Sequence, residues 1–579
     1  MGDFDIEKLL KQISELEAEL KSSKKYGLVW DKENTKEEVV LMCQQYIPVL
    51  VQDKSKRVLN GGTNNILIEG DNYHALTSLN FIEKESVDLI YIDPPYNTGH
   101  EDFSYNDNYV NYDDTFIHSK WLSFMERRLK LAKELLKEDG IIFISIDDNE
   151  QANLKILCDS IFGPYNFVNT FIIDKTAQGA NNSATFKTQH EFCLLYKKRD
   201  DSSINTNVVD EIDKSKYKYK DDKGYYALTN TFDSINSPLS KNKNRGYTVY
   251  YRESDKDVIV KDEYNRDTET FGPVDEELVK KGYIPIRPGI RKNVQYPWNW
   301  MLSRFLEEYK EELVFQRNKF GNYTIYHKNR FNGLTKDATI KRFDTRQFGN
   351  QALVDVLGQK LFDYPKSLDM MKWVVSRHLN KNSLVLDFFA GSGTTGQAVL
   401  ELNQEDGGNR RFILCTNNEN GICENVTYPR LKTVITGIRK DGSKYSNGTN
   451  GSLYYFKTDF IKDEVNTEQA KYNLVEKVDA LLCIYENIFD EKERNDYSSH
   501  FVSGEKHLFI YNDYFNVQKF SEFKERVLNV RGEKIVYIYS SDNNVDPSII
   551  EGQNIAIKPI PSKIYEIYKE IVEEIKRGE

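Results

Sequence analysis

Two short runs of this 579-residue chain share one design, an apolar strand that closes on aspartate and breaks at once into a tight loop. The first is Leu89-Ile90-Tyr91-Ile92 followed by Asp93-Pro94-Pro95-Tyr96. The second, about 290 residues later, is Leu384-Val385-Leu386 followed by Asp387-Phe388-Phe389-Ala390-Gly391-Ser392-Gly393. Near-continuous apolar runs of this length belong to strands buried on both faces, as in a parallel sheet. The residues around them agree. Strand 66–68 leads through Glu69-Gly70-Asp71-Asn72 into a helix from about Tyr73. Strand 87–92 then delivers Asp93, helix 121–136 follows, Asp139-Gly140 turns the chain into strand 141–146, and helix 149–162 closes the run. Such alternation predicts a doubly wound α/β sheet.

The alternation breaks near Phe171 and resumes near 351, with helix 368–379, strand 383–386, helix 394–402, strand 411–415 and a helix near 427–438. Between lie short β-like pieces at 247–251 and 323–327, polar loops and Arg287-Pro288-Gly289, the pattern of an α+β insertion. The predicted domains are therefore 1–26, 27–170, 171–350, 351–451 and 452–579. The last reads as a small α/β module with strands 507–511 and 534–539 and a final helix 562–576. In 1–26, Ile6, Leu9, Ile13, Leu16 and Leu20 fall three and four apart with Glu and Lys between them. That is a helical seam, packed on its own body or used for self-association.

No run of 18 apolar residues predicts a membrane span, and the charged start lacks the apolar segment of a signal peptide. The six cysteines form no CxxC pair, so they read as buried free thiols of a reducing cytoplasm, with no metal site. The net charge of −11 argues against nucleic acid at first sight. The charge is unevenly spread, however. From Phe171 to Asn350 the sequence holds 32 Lys and Arg against 26 Asp and Glu, an excess of 6, compatible with a DNA-binding segment in an acidic chain.

The second loop bends where glycine alone tolerates positive φ or lets a ligand approach closely. No Gly-Lys-Ser/Thr follows, which disfavours a phosphate loop. Gly391, Gly393 and Gly396 have dinucleotide-binding spacing, yet Asp387 directly before the turn and Phe388-Phe389 within it do not suit that fold. After the next strand comes Asn417-Asn418-Glu419, an acid just past a strand end.

The first loop suits an exocyclic amine, a poor nucleophile because its lone pair is delocalised into the ring. Two acceptors on the amino protons and a flat surface for the base are what methylation of it needs. The Asp93 carboxylate offers one acceptor and the Pro94 carbonyl the other, with Pro94-Pro95 fixing its direction. The Tyr96 ring offers the flat surface for an extruded base. The plain alternative is a strand-terminating turn.

The second loop resembles motif I of S-adenosyl-methionine methyltransferases. The run from Leu89 through Asn97-Thr98-Gly99 resembles motif IV of β-class DNA adenine methyltransferases, most of all the Mod subunits of Type III restriction–modification systems. Ile68-Glu69-Gly70-Asp71-Asn72, Trp121-Leu122-Ser123-Phe124-Met125, Asp147-Asp148-Asn149-Glu150 and Tyr364-Pro365-Lys366-Ser367-Leu368 match the same pattern. The resemblance implies a circularly permuted, Rossmann-like methyltransferase sheet. It implies S-adenosyl-L-methionine held by Lys366, Ser367, the loop from Asp387 through Thr394 and Thr395, and Asn418 or Glu419. Asp71 would approach base or donor, or simply cap a helix, and Asn97 would belong to the substrate side.

By the same resemblance the insertion is a target-recognition domain. Its candidates for phosphates and purine edges are Arg245 (with Lys241 and Lys243), Arg287, Arg291, Lys292, Arg317, Lys319 and Arg330. Lys214-Ser215-Lys216-Tyr217-Lys218-Tyr219-Lys220 alternates basic and aromatic residues but runs into Asp221-Asp222, and also reads as an edge strand. The implied activity is base-flipping N6-adenine methylation of double-stranded DNA in a bacterial or phage-associated cytoplasm. A homodimer and a helicase–nuclease restriction subunit are the implied partners. Cytosine-N4 methylation, or service chiefly as the DNA-recognition subunit of a restriction complex, are the alternatives.

Overall fold

Ten strands build one mixed sheet: β1 (Tyr46–Gln52), β2 (Thr63–Glu69), β3 (Val87–Ile92), β4 (Leu136–Ile146), β5 (Phe167–Asp174), β6 (His190–Lys197), β7 (Ile340–Arg342), β8 (Leu384–Asp387), β9 (Arg411–Thr416) and β10 (Gly451–Lys462). Their order across the sheet is β1-β10-β2-β9-β8-β3-β4-β6-β5-β7. From β10 to β4 every neighbouring pair is parallel. The structure is a computed structural model that describes Trp30 and residues 37–560 except 44, 82–84, 100–102, 106–107, 112, 175–185, 187, 200–202, 210–214, 319–320, 332–333, 344–348, 463–476, 513–516 and 540–544. The seam expected in 1–26 and the final helix expected at 562–576 lie outside the described residues.

Side chains alternate across each strand, so each strand feeds two cores. Ile66, Ile68, Ile90, Ile92, Ile142 and Ile144 face one layer, where helices α1 (Asn72–Asn80), α2 (Ile117–Leu135) and α3 (Gln151–Phe162) cover them with Leu76, Trp121, Met125 and Leu157. Leu67, Leu89, Tyr91, Ile141 and Phe143 face the other. There α4 (Leu368–Val375), α5 (Thr394–Asp406) and α6 (Tyr428–Thr436) supply Met371, Val374, Val399 and Leu431. Each fully buried Leu or Ile contributes about 1.5–3 kcal/mol by leaving water. The two halves of the chain thus cover opposite faces of one sheet, and neither half closes its core alone. Gly396 lets α5 lie close, since a Cβ there would sit 2.7 Å from Leu431 and 2.9 Å from Leu414.

Several boundaries differ from expectation. β4 already begins at Leu136 and runs through Asp139-Gly140 with a register shift against β3, instead of starting after a turn. β5, β6 and β7 extend the large sheet, so the separate unit is Thr206–Asp337 and not 171–350. β10 lies between β1 and β2, and the residues expected to form a separate module from 452 fall in the same compact unit as the core. Beyond it, helix α7 (Asp479–Glu486) and a five-stranded sheet spanning Asp490 to Ile560 bury Leu481, Phe489, Leu508 and Ile510 in the same apolar cluster as Tyr454 and Phe456. All six cysteines are buried free thiols.

The unit Thr206–Asp337 is made of two- and three-stranded antiparallel sheets around Phe232, Tyr247, Trp298, Trp300 and Phe305. Tyr219–Asp221 is indeed an edge strand there. Its first and last segments zip together, Asn207–Val209 against Leu334–Lys336, and the Asp337 amide donates to the Thr206 carbonyl at 2.8 Å.

Candidate active site

β3 and β8 are parallel neighbours, with Leu89 beside Val385 and Ile90 beside Leu386. Their loops leave the same edge of the sheet, and strand geometry sets Asp93 and Asp387 on the order of 8 Å apart. The two aspartates sense each other: burial, with the Asp93 charge adding to it, pushes the Asp387 carboxyl up to about 7.

The Asp387 carboxylate organises its own loop. It accepts from the Phe389 amide at 3.0 Å and from the Thr395 hydroxyl at 2.6 Å. Gly391 (φ 47°) and Gly393 (φ 78°) take the left-handed turn, and Thr427 donates its hydroxyl to the Gly391 carbonyl at 2.5 Å. The Ala390 amide donates to the Cys415 carbonyl at the end of β9. Behind the loop lies Arg430, fully buried. It donates to the Ser392 carbonyl and hydroxyl, to the Thr394 hydroxyl at 2.7 Å and to Gln397. The side chains of Ser392 and Thr394, assigned to the donor from sequence, therefore turn to Arg430. Phe388 is buried in the core and Phe389 packs on Phe124. Asn418 accepts from the Glu424 amide, and Glu419 is exposed just past β9. Ser367 is buried at the start of α4, its hydroxyl without a hydrogen-bond partner among the described residues.

At the first loop, Asp93, Tyr96, Lys366 and Glu191 form one cluster in which Glu191 is buried and the other three are partly buried. The Tyr96 hydroxyl lies 2.9 Å from both Asp93 and Glu191. Lys366 Nζ lies 2.5 Å from that hydroxyl, 3.0 Å from both Glu191 oxygens and 3.1 Å from Asp93. The Lys366 side chain thus sits on the first-loop aspartate and not on the donor loop, where sequence placed it. Burial raises the Asp93 carboxyl above the ordinary carboxylate range against the pull of Lys366. Trp121 donates to the Pro95 carbonyl at 2.7 Å, which fixes the Pro-Pro turn.

Asn97, expected on the substrate side, is buried with φ 59°; its amide donates to Glu150 at 2.5 Å, so it anchors the loop. Asp71 is the N-cap of α1, accepting from the Tyr73 amide at 2.7 Å, with Arg128 3.6 Å away. Asn72 bridges to the donor loop by donating to the Phe388 carbonyl at 3.1 Å. Arg128, wholly buried, donates to both Glu37 oxygens and to Asn72. Glu37, Arg128, Glu191 and Arg430 were not anticipated. Their one signal is an acid or base beside or inside an apolar run, as with Glu191 before Phe192-Cys193-Leu194-Leu195.

In the unit Thr206–Asp337 the cation candidates divide. Arg287 is tied to Glu263, Thr248 and the Gly272 carbonyl, and Arg330 to Asp221 and Glu312. Arg291 pairs with Asp233 and Arg317 with Glu253, each near its surface. Lys292 is exposed at the tip of the hairpin that pairs Ile290–Arg291 with Val294–Gln295, and Arg245 is half-buried; neither makes an ion pair among the described residues. Lys319 lies outside the described residues.

A family model described as DNA methylase matches residues 87–428, which span both loops. The chain belongs to the DNA methylase family. The methylase is 30% identical over 571 residues to the Type III restriction-modification enzyme EcoPI Mod subunit of Escherichia phage P1, covering 88% of this chain and 85% of that one. It is 27% identical to the EcoP15I Mod subunit of Escherichia coli, with the same two coverages. It is 33% identical to the Type II methyltransferase M.KpnI of Klebsiella pneumoniae, over 65% of this chain and 85% of the relative. The methylase is a DNA methyltransferase whose methyl donor is S-adenosyl-L-methionine. Its donor side suits that ligand: a carboxylate held ready near neutrality, two left-handed glycines that keep side chains out of the turn, and an unsatisfied buried hydroxyl at Ser367. Among the described residues no helix is long and apolar enough to cross a membrane.

Proposed function

We propose that the methylase modifies the N6 amino group of adenine flipped out of double-stranded DNA, at a sequence read by residues 206–337. One observation carries this reading: Asp93 and the loop of Asp387 leave adjacent parallel strands at one edge of the sheet. Asp387, the Gly391–Gly393 turn and Ser367 would hold S-adenosyl-L-methionine, which when bound would supply an electrophilic sulfonium methyl group and leave as the neutral thioether, the methylated amine then losing one N–H proton to solvent. Asp93 accepts one amino N–H, and the Pro94 carbonyl accepts the other, which draws the nitrogen lone pair out of the ring. Trp121, by holding the Pro95 carbonyl, keeps that pair of acceptors at a fixed angle. The Tyr96 ring, tethered by its hydroxyl, carries the base. The partly buried setting of these acceptors limits the water that can compete for the amine.

The Mod-subunit relatives support a place in a Type III-like restriction–modification system, with a restriction subunit as partner. A homodimer, and a cytoplasmic, DNA-bound location, complete the proposal. The test incubates the full chain with labelled donor and unmodified genomic DNA, digests the product to nucleosides, and sequences it by a single-molecule method. Label in N6-methyl-2′-deoxyadenosine, with the undigested DNA modified within one sequence context, is the expected result. Label in N4-methyl-2′-deoxycytidine would replace adenine as the target, and no labelled nucleoside would overturn the reading.

A further inference from the structure

Lys366 presents three N–H bonds, and the structure gives them three acceptors: the Tyr96 hydroxyl at 2.5 Å, Glu191 at 3.0 Å and Asp93 at 3.1 Å. Two carboxylates therefore share one ammonium in a cluster where Glu191 is 1% exposed. Glu191 arrives from β6, the antiparallel strand beside β4, whose N-terminal end lies at the edge where β3 opens. We propose that Glu191 is a positioning residue, the counter-ion of Lys366, and that it keeps the Asp93 carboxylate available to the amino group of the base. The inference rests on the adenine-methylation reading given above.

The argument is one of charge and valence. An unopposed ammonium 3.1 Å from Asp93 would neutralise it and occupy the lone pairs the amine needs. Glu191 meets the Lys366 ammonium with both of its oxygens, each at 3.0 Å. The cluster of Asp93, Glu191 and Lys366 then carries one net negative charge. That charge faces an amine which becomes cationic as it is methylated, so it favours the transition state over the ground state. Lys366 and Glu191 across the cluster and Tyr96 on its own loop act on Asp93, and Asp93 in turn raises Tyr91 on β3, Cys193 on β6 and Asp387 on β8. Of these, Lys366 alone is cationic.

The experiment measures kcat against pH for the full chain on unmodified genomic DNA, at saturating donor and DNA, for wild type, Glu191→Gln, Glu191→Asp and Glu191→Gln/Lys366→Met. Glu191→Gln is expected to lower kcat on the order of 100-fold with KM for donor and DNA moved less than about threefold. It is also expected to move the acid limb to lower pH, because Lys366 then acts on Asp93 unopposed. Glu191→Asp retains the wild-type limb, and removing Lys366 as well restores much of the lost kcat and returns the limb upward. A folded Glu191→Gln protein with an unmoved limb overturns the inference alone, and so does a double variant no faster than the single. If Glu191→Gln does not fold, a Lys366→Met variant whose limb stays in place overturns it. Wild type that methylates no adenine overturns the inference together with the reading beneath it.

Discussion

In the sheet-bearing unit, Arg128, Arg430 and Lys366 are taken out of water and held by several partners each, Arg128 by Glu37 and Asn72, Arg430 by the donor loop, Lys366 by two carboxylates and a phenol. In the unit Thr206–Asp337, Arg291 and Arg317 form ion pairs with side chains 41% and 57% exposed, and Lys292 stands at a hairpin tip. A buried, multiply bonded cation is costly to replace and fixes geometry. A surface pair costs little to exchange. The first arrangement suits groups whose placement must stay constant, and the second suits a surface that tolerates exchange.

Asp93→Ala tests that division most severely. Methyl transfer should fall by about 1,000-fold or more, while duplex binding, followed by fluorescence anisotropy, stays within a few-fold. Loss of both together would mean the two units do not divide the work. Arg128→Met comes next. It removes the bidentate partner of buried Glu37 and leaves it Arg127 alone, 3.6 Å away; urea unfolding should register about 3 kcal/mol lost, with Glu37→Gln added in the same chain recovering part of it.

Asp387 supplies a pH handle on the donor side. Its raised value means the ionised form grows only as pH rises through about 7. A cationic donor favours that form, so affinity measured by calorimetry should be about tenfold weaker at pH 6 than at pH 8. In the free protein the sign reverses. A carboxyl whose folded value is raised contributes stability at low pH that is lost as pH climbs through about 7, and Asp387→Asn should flatten that slope in thermal melts. The smallest effect belongs to Arg317→Ala, which should change unfolding free energy by less than about 1 kcal/mol; a loss as large as that of Arg128→Met would erase the contrast.

Much of the sheet was legible because β2, β3, β4, β8 and β9 each carry a short apolar run, and β3 and β8 each deliver an aspartate at its end. Asp93 and Asp387 were legible for the same reason: each ends such a run. The residues that hold the site in shape were not. Arg128 follows Arg127 in a helix, where neighbouring cations read as a solvated face, and only the fold brings both to Glu37 and buries Arg128 completely. Lys366 was read toward the donor because it precedes that motif in the chain, whereas its long side chain reaches Asp93. Glu191 lies about 100 residues from the loop it serves, and antiparallel pairing, invisible in periodicity, brings it there. The insertion was drawn too wide because β5, β6 and β7 are separated by long polar stretches that hide their common sheet.

The hydrogen bond from Asp337 to Thr206 and the short ladder beside it draw the ends of the inserted unit together. A segment anchored at so narrow a neck behaves like a cassette: its interior can be rewritten, or exchanged wholesale between related enzymes, while the flanking chain enters and departs at the same two points. If that unit reads the DNA target as proposed, a new target could then be acquired by grafting, without re-learning the chemistry.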